Sequence, residues 1–196
     1  MEMEDDQSKP SDNLSFNDYL PSAGIVGAIF SLVTFALSLA IGYQQISSEP
    51  SGSLLSPTML GGTLICLISA LGGVVAVWHF TKEVTPFIKL GQGAALGFIT
   101  GAVIVLLTAV FNEIWHFIDP DYTEKLVEST IANVEAMDLP SAQKDQMIDG
   151  MAESVRTQQS FGAQVLWGIP MYGILNLLTA MIGVKVFAKK EDQETF

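Results

Sequence analysis

Four long apolar runs constrain this chain more than any other feature. The first is AGIVGAIFSLVTFALSLAIGYQQI, from Ala23 to Ile46, and the second runs from Met59 to Phe80; neither carries a charge. The third, from Leu90 to Ile118, is uncharged until Glu113, and the fourth, from Phe161 to Phe187, is uncharged until Lys185. A hydrocarbon core of about 30 Å is crossed by roughly 20 apolar residues at about 1.5 Å each. Each run meets that length. Lipid satisfies no backbone N–H or C=O, so a spanning segment bonds internally, as a helix or a closed barrel. Barrel strands alternate polar and apolar residues; the stretch IVLLTAVF in the third run does not. The expected fold is all-α, with four transmembrane helices at about 23–46, 59–80, 90–118 and 161–187. Pro170 removes a backbone donor inside the fourth, which predicts a kink near Leu166–Pro170.

Charge is scarce and gathered in blocks. Only 15% of the 196 residues are charged, against roughly 25% in soluble domains. Residues 1–20 hold Glu2, Glu4, Asp5, Asp6, Asp12 and Asp18 against Lys9 and read as a disordered tail, as do residues 191–196. The membrane domain then covers residues 21–190. The tail lacks a positive n-region and a small-residue cleavage motif, so the first run is not expected to be a cleaved signal peptide. A net charge of −12 repels nucleic acid and anionic lipid surfaces alike. The single cysteine, Cys66, lies in an apolar run and reads as a small hydrophobe.

The insert at residues 119–158 is too long for a structureless loop. Tyr122, Leu126, Thr130, Val134 and Met137 fall at helical spacing, as do Met147, Ile148, Met151 and Val155, with Leu139-Pro140-Ser141 between them. This predicts an amphipathic helical hairpin outside the membrane, between the third and fourth spans. Lys82 and Lys89 in the second loop, Lys189 and Lys190 after the fourth span, and Lys9 before the first put both termini and that loop on the cytoplasmic side. The insert is then external.

The stretch NEIWHFIDPDYTEK, residues 112–125, joins the third span to the insert. Asp119 is a good N-cap and Pro120 suits the first helical position, so the two are expected to cap the hairpin. Glu113 and His116 are three residues apart and share a helix surface. They form half of what a di-metal carboxylate site needs, and no second pair exists in the spans, so no metal and no cofactor is expected. They are the candidate polar site for an ion path, although Glu113 is near enough to the helix end to reach the interface. Gly93, Gly97 and Gly101 form a four-residue stripe that lets another helix approach closely, and Asn112 extends it. The stripe suits packing inside the monomer and also allows a homo-oligomer. Asn176, midway along the fourth span, is expected to bond between helices.

No phosphate-binding loop, nucleophile elbow or zinc motif is present. The reading is therefore a structural or interaction component of the membrane and not an enzyme. The alternative is a small transporter or ion-path protein using Glu113 and His116. The expected partners are the bilayer and an unidentified membrane or periplasmic protein, with no nucleic acid.

Over about residues 20–190 the chain resembles the bacterial inner-membrane family catalogued as domain of unknown function 4199. The order of four spans, FIKLGQGAALGFITG at the third span, the EIWHFIDPDYTEK stretch, the acidic helical insert and a last span ending in lysines carry the resemblance. Asp119, Pro120, Tyr122, Glu124 and Lys125 are its motif-like positions. The resemblance implies this topology and a place in the bacterial inner membrane, and it supplies no activity.

Overall fold

A computed structural model describes residues 14–53 and 57–189. Within them the chain forms six helices and no strand: α1 (Phe16–Ser47), α2 (Pro57–Glu83), α3 (Leu90–Ile118), α4 (Tyr122–Glu135), α5 (Ser141–Gln159) and α6 (Phe161–Phe187). Helices α1, α2, α3 and α6 are long and apolar enough to cross a membrane. α3 and α6 have the bounds expected, while α2 is longer at both ends. α6 continues as one helix through Pro170. Residues 1–13 and 190–196, which include most of both expected tails, lie outside the described residues.

The N-terminal boundary needs correction. Residues 16–20 belong to α1 and not to a disordered tail. Asp18 Oδ2 accepts hydrogen bonds from Ser15 N at 2.6 Å and Ser15 Oγ at 2.9 Å, which closes the first turn. One residue on, the Tyr19 ring packs on Phe80 of α2, with centroids 5.6 Å apart. Composition marked this segment as polar tail. A local cap and a distant aromatic ring order it.

The four long helices pack as a diamond. α2 and α3 touch across its short diagonal, and α1 and α6 each pack on both of them. α3 and α6 form the most extensive interface, and the glycine stripe explains it. A Cβ at Gly101 would lie 2.5 Å from the Tyr172 carbonyl oxygen, one at Gly97 would strike the Asn176 carbonyl and Ala180, and one at Gly93 would strike Val184. From the other side, Gly73 of α2 abuts the same Asn176 carbonyl. α6 is thus held between two glycine faces at its midpoint, closer than side chains would allow.

The two ends of the bundle differ. At the tail end, Lys189 N donates to Pro86 O at 2.9 Å, so the chain end meets the second loop. There Tyr19, Ala23, Ala76, Val77, Phe80, Leu96 and Val184 form a close-packed core. At the opposite end α4 and α5 pack on each other and lie over the helix ends as a cap. α4 buries Tyr122, Leu126, Val127, Thr130 and Val134, whereas α5 buries only Ala152.

Candidate functional site

The junction between bundle and cap gathers most of the polar chemistry. α3 ends at Ile118, and Asp119 to Tyr122 make a turn closed by Tyr122 N donating to Asp119 O at 3.2 Å. The expected cap is therefore corrected. Asp119 is the C-cap of α3, and Asp121 holds the N-cap position of α4, with Pro120 in the turn before the helix. The Asp119 carboxylate is engaged elsewhere. Tyr43 of α1 donates its hydroxyl to Oδ2 at 2.6 Å, and Lys125 of α4 donates Nζ to Oδ1 at 2.8 Å. One carboxylate thereby ties α1, the end of α3 and α4 together.

Aromatic rings back this hub. Tyr43 meets Tyr122 at 5.2 Å and Trp115 edge-on at 6.3 Å, and Phe35 continues the column to Trp115 and Phe111. The Tyr122 hydroxyl sits against Gly42, where a Cβ would collide with it. Burial pushes the Tyr122 phenol up to about 12, so it stays neutral at physiological pH. Further links run along α4. Gln45 Nε2 donates to Ser129 Oγ and Thr130 Oγ1, each at 3.0 Å. Asn133 Oδ1 accepts from Ser51 N and Gly52 N at 3.2 and 3.1 Å, and its Nδ2 donates to Ser53 O at 3.1 Å. Gly52 has φ +63 and lies on the Ala136 carbonyl, so a side chain is excluded there twice over. Arg156 of α5 reaches Glu124 of α4 with both Nε and Nη2, at 3.2 and 3.1 Å. That pair is about half exposed and contributes little stability.

Lys125 first and Tyr43 second hold the Asp119 carboxyl below its usual range. Its folded pKa is lower than its unfolded one. The stabilisation is therefore complete above the ordinary carboxylate value of about 3.9 and is lost as pH falls through the folded value. Hydrogen exchange in residues 122–135 should accelerate as pH is lowered toward about 3, after correction for intrinsic rates. Asp119→Asn should start faster and change little over the same range. Equal profiles would remove Asp119 as the hinge of the cap.

Glu113 and His116 do not point into the bundle. Both are exposed, and with Asn112, Asp119, Glu124 and Arg156 they line a pocket of about 340 Å³ between the end of α3 and the cap. No group of three metal-ligating side chains exists among the described residues. The other histidine, His79, shares a 3.0 Å hydrogen bond with Ser22 of α1. Asn112 Nδ2 donates to Gln164 Oε1 of α6 at 2.8 Å. Asn176 is fully buried but is not the interhelical bonding group expected. Its Nδ2 donates to Tyr172 O of its own helix at 2.9 Å, and Oδ1 has no protein partner. A Cβ at Gly72 would lie 2.8 Å from Oδ1, and glycine has no side-chain donor to offer there.

Below the cap lies a larger cavity, of about 610 Å³. All six helices contribute, and none of the described lining residues is charged. Sequence reasoning missed this cavity together with Tyr43, Gln45 and Asn133. Their hydrogen-bond partners lie 76–85 positions away in the chain, and no local pattern announces such pairs.

A family model described as Protein of unknown function (DUF4199) matches residues 23–185. The chain belongs to that family. The match runs from the second turn of α1 nearly to the end of α6, so the DUF4199 unit here is the bundle and its cap together. No curated protein and no solved structure matches the chain.

Proposed function

We propose that this DUF4199 protein is a non-enzymatic interaction component of the bacterial cytoplasmic membrane, with the cap as its contact surface. The observation that supports this is the way the cap is mounted. α4 is fastened to the bundle through Asp119, Gln45 and Asn133, while α5 lies on it with one buried residue and an exposed face carrying Asp145, Asp149 and Glu153. A fixed, outward-facing acidic surface suits a partner protein with a basic patch. Photocrosslinkers placed at Gln146 and Asp149, on the exposed side of α5, test this in native membranes. Both positions should capture the same protein, and Asp145→Asn with Glu153→Gln should weaken capture several-fold. Capture of no common product, or capture indifferent to those changes, would overturn the reading.

In this reading both termini and the second loop are cytoplasmic. In a Cys66→Ala background, Lys82→Cys should react with a membrane-impermeant maleimide only after the membrane is opened. Asp145→Cys should react in intact cells, and the reverse pattern inverts the orientation. The second reading, an ion path, takes its support from Glu113 and His116 lining one pocket. Glu113→Gln keeps shape and hydrogen bonding but loses charge. It should leave folding and cellular phenotype intact; a null phenotype in folded protein would favour the ion path.

A further inference from the structure

The 610 Å³ cavity beneath the cap lies among the four helices long and apolar enough to cross a membrane. Its floor residues, Ile104 on α3 and Ser69 on α2, lie about 20 Å from the cap ends of their helices at 1.5 Å per residue. That distance puts the floor near the middle of helices of membrane-spanning length. The walls are apolar, with Leu39, Ile65, Val105, Leu126 and Met171 among them, and hydroxyl and amide groups are set between them. This is the composition of a small-molecule site, and the volume falls in the usual range.

Two features say what it takes. First, no described lining residue is charged. An unpaired carboxylate, phosphate or ammonium buried there would meet no counter-charge, at high cost. Second, the floor holds an unpartnered donor. Ser and Thr hydroxyls in membrane helices commonly bond back to the preceding turn. Thr34 does so to Phe30 O at 2.8 Å, and Ser38 to Thr34 O at 2.8 Å. Ser69 is fully buried at the cavity floor, and its Oγ has no such bond and no other partner. Lining residues that are also exposed include Gly62 on α2 and Trp167 and Met171 on α6, which open the cavity between those two helices toward lipid, and Thr157 and Gln158 of α5 at its cap end.

We propose that this cavity binds one neutral lipid-like molecule from the bilayer, with an apolar chain and an uncharged hydroxyl- or carbonyl-bearing head. The head reaches Ser69, and the chain lies along the α2–α6 opening. The site is independent of any partner on the cap.

The test uses the full chain in phosphatidylcholine nanodiscs and a C16 alcohol with a mid-chain diazirine. Photolabelling should saturate and map to residues 104–112 of α3 and 163–172 of α6. Unlabelled 1-oleoylglycerol should compete at least tenfold better than palmitate. Gly62→Phe should fill the mouth, because a Cβ at Gly62 meets no atom within 4 Å. It should cut labelling at least tenfold at unchanged thermal stability, and Ser69→Ala should weaken it several-fold. Labelling that rises linearly with probe, ignores the competitor and spreads over the exposed helix faces would mean annular lipid only and overturn the proposal. Equal competition by palmitate would overturn the neutral-head assignment. If Gly62→Phe does not fold, the competition experiment on the natural chain decides alone.

Discussion

Gly97→Ile should leave little folded protein. A Cβ at this position collides with the Asn176 carbonyl and lies 2.5 Å from the Ala180 Cβ. Overpacking usually costs about 1–3 kcal/mol when flexible neighbours yield. Here the first atom met is helix backbone, and α6 cannot retreat, because Gly73 of α2 presses on the same carbonyl from the other side. The cost should lie at or above the top of that range. Detergent-solubilised yield and melting temperature should both drop. Gly91→Ile, six residues earlier on an exposed face where a Cβ meets no atom within 4 Å, should lose neither. If both substitutions behave alike, the α3–α6 contact is not set by the glycine stripe.

Tyr122→Ala should release the cap from the bundle while the spans stay intact. The ring is buried, packs at a tilt against Tyr43 at 5.2 Å and seats its hydroxyl on Gly42. Truncating a large buried aromatic costs about 3–5 kcal/mol. Here the loss falls on the small α1–α4 interface and not on the four-helix core. Hydrogen exchange should rise sharply across residues 122–159 and hold steady across residues 90–110. Gly42→Val, which pushes on the same ring from α1, should reproduce the pattern with Tyr122 present. Unchanged exchange in α4 after Tyr122→Ala would mean that Gln45 and Asn133 hold the cap without the ring.

Much of the secondary structure was legible because its cause is local. α3 runs from Leu90 to Ile118 and α6 from Phe161 to Phe187, where the apolar runs begin and end. Pro140 marked the break between α4 and α5. The start of α1 was not legible. Asp18 looked like one more acid in a polar tail, and its role as the acceptor of the Ser15 turn depends on Tyr19 finding Phe80, 61 positions further along. Asp119 was misread for a related reason. Asp-Pro before an acidic stretch is a helix-start pattern, yet Tyr43, 76 positions away, and Lys125 take up the carboxylate. The structure turns Glu113 and His116 outward and leaves Asn176 bonded to its own helix.

The sequence by itself determined that this chain makes four lipid-length helices and a polar helical insert. In a medium that bonds no backbone group, an apolar run of sufficient length has one low-energy conformation. It also determined that the third helix would let a neighbour come close, since glycine spacing is a property of one segment. Only the tertiary structure decided which neighbour that is, how the cap is fastened, and that the bundle is tight at one end and hollow at the other. Those outcomes depend on shape and hydrogen bonding between residues far apart in the chain. Ser69 and Tyr122 acquire their roles from the helices that surround them, and nothing in their immediate sequence distinguishes them from other buried serines and tyrosines.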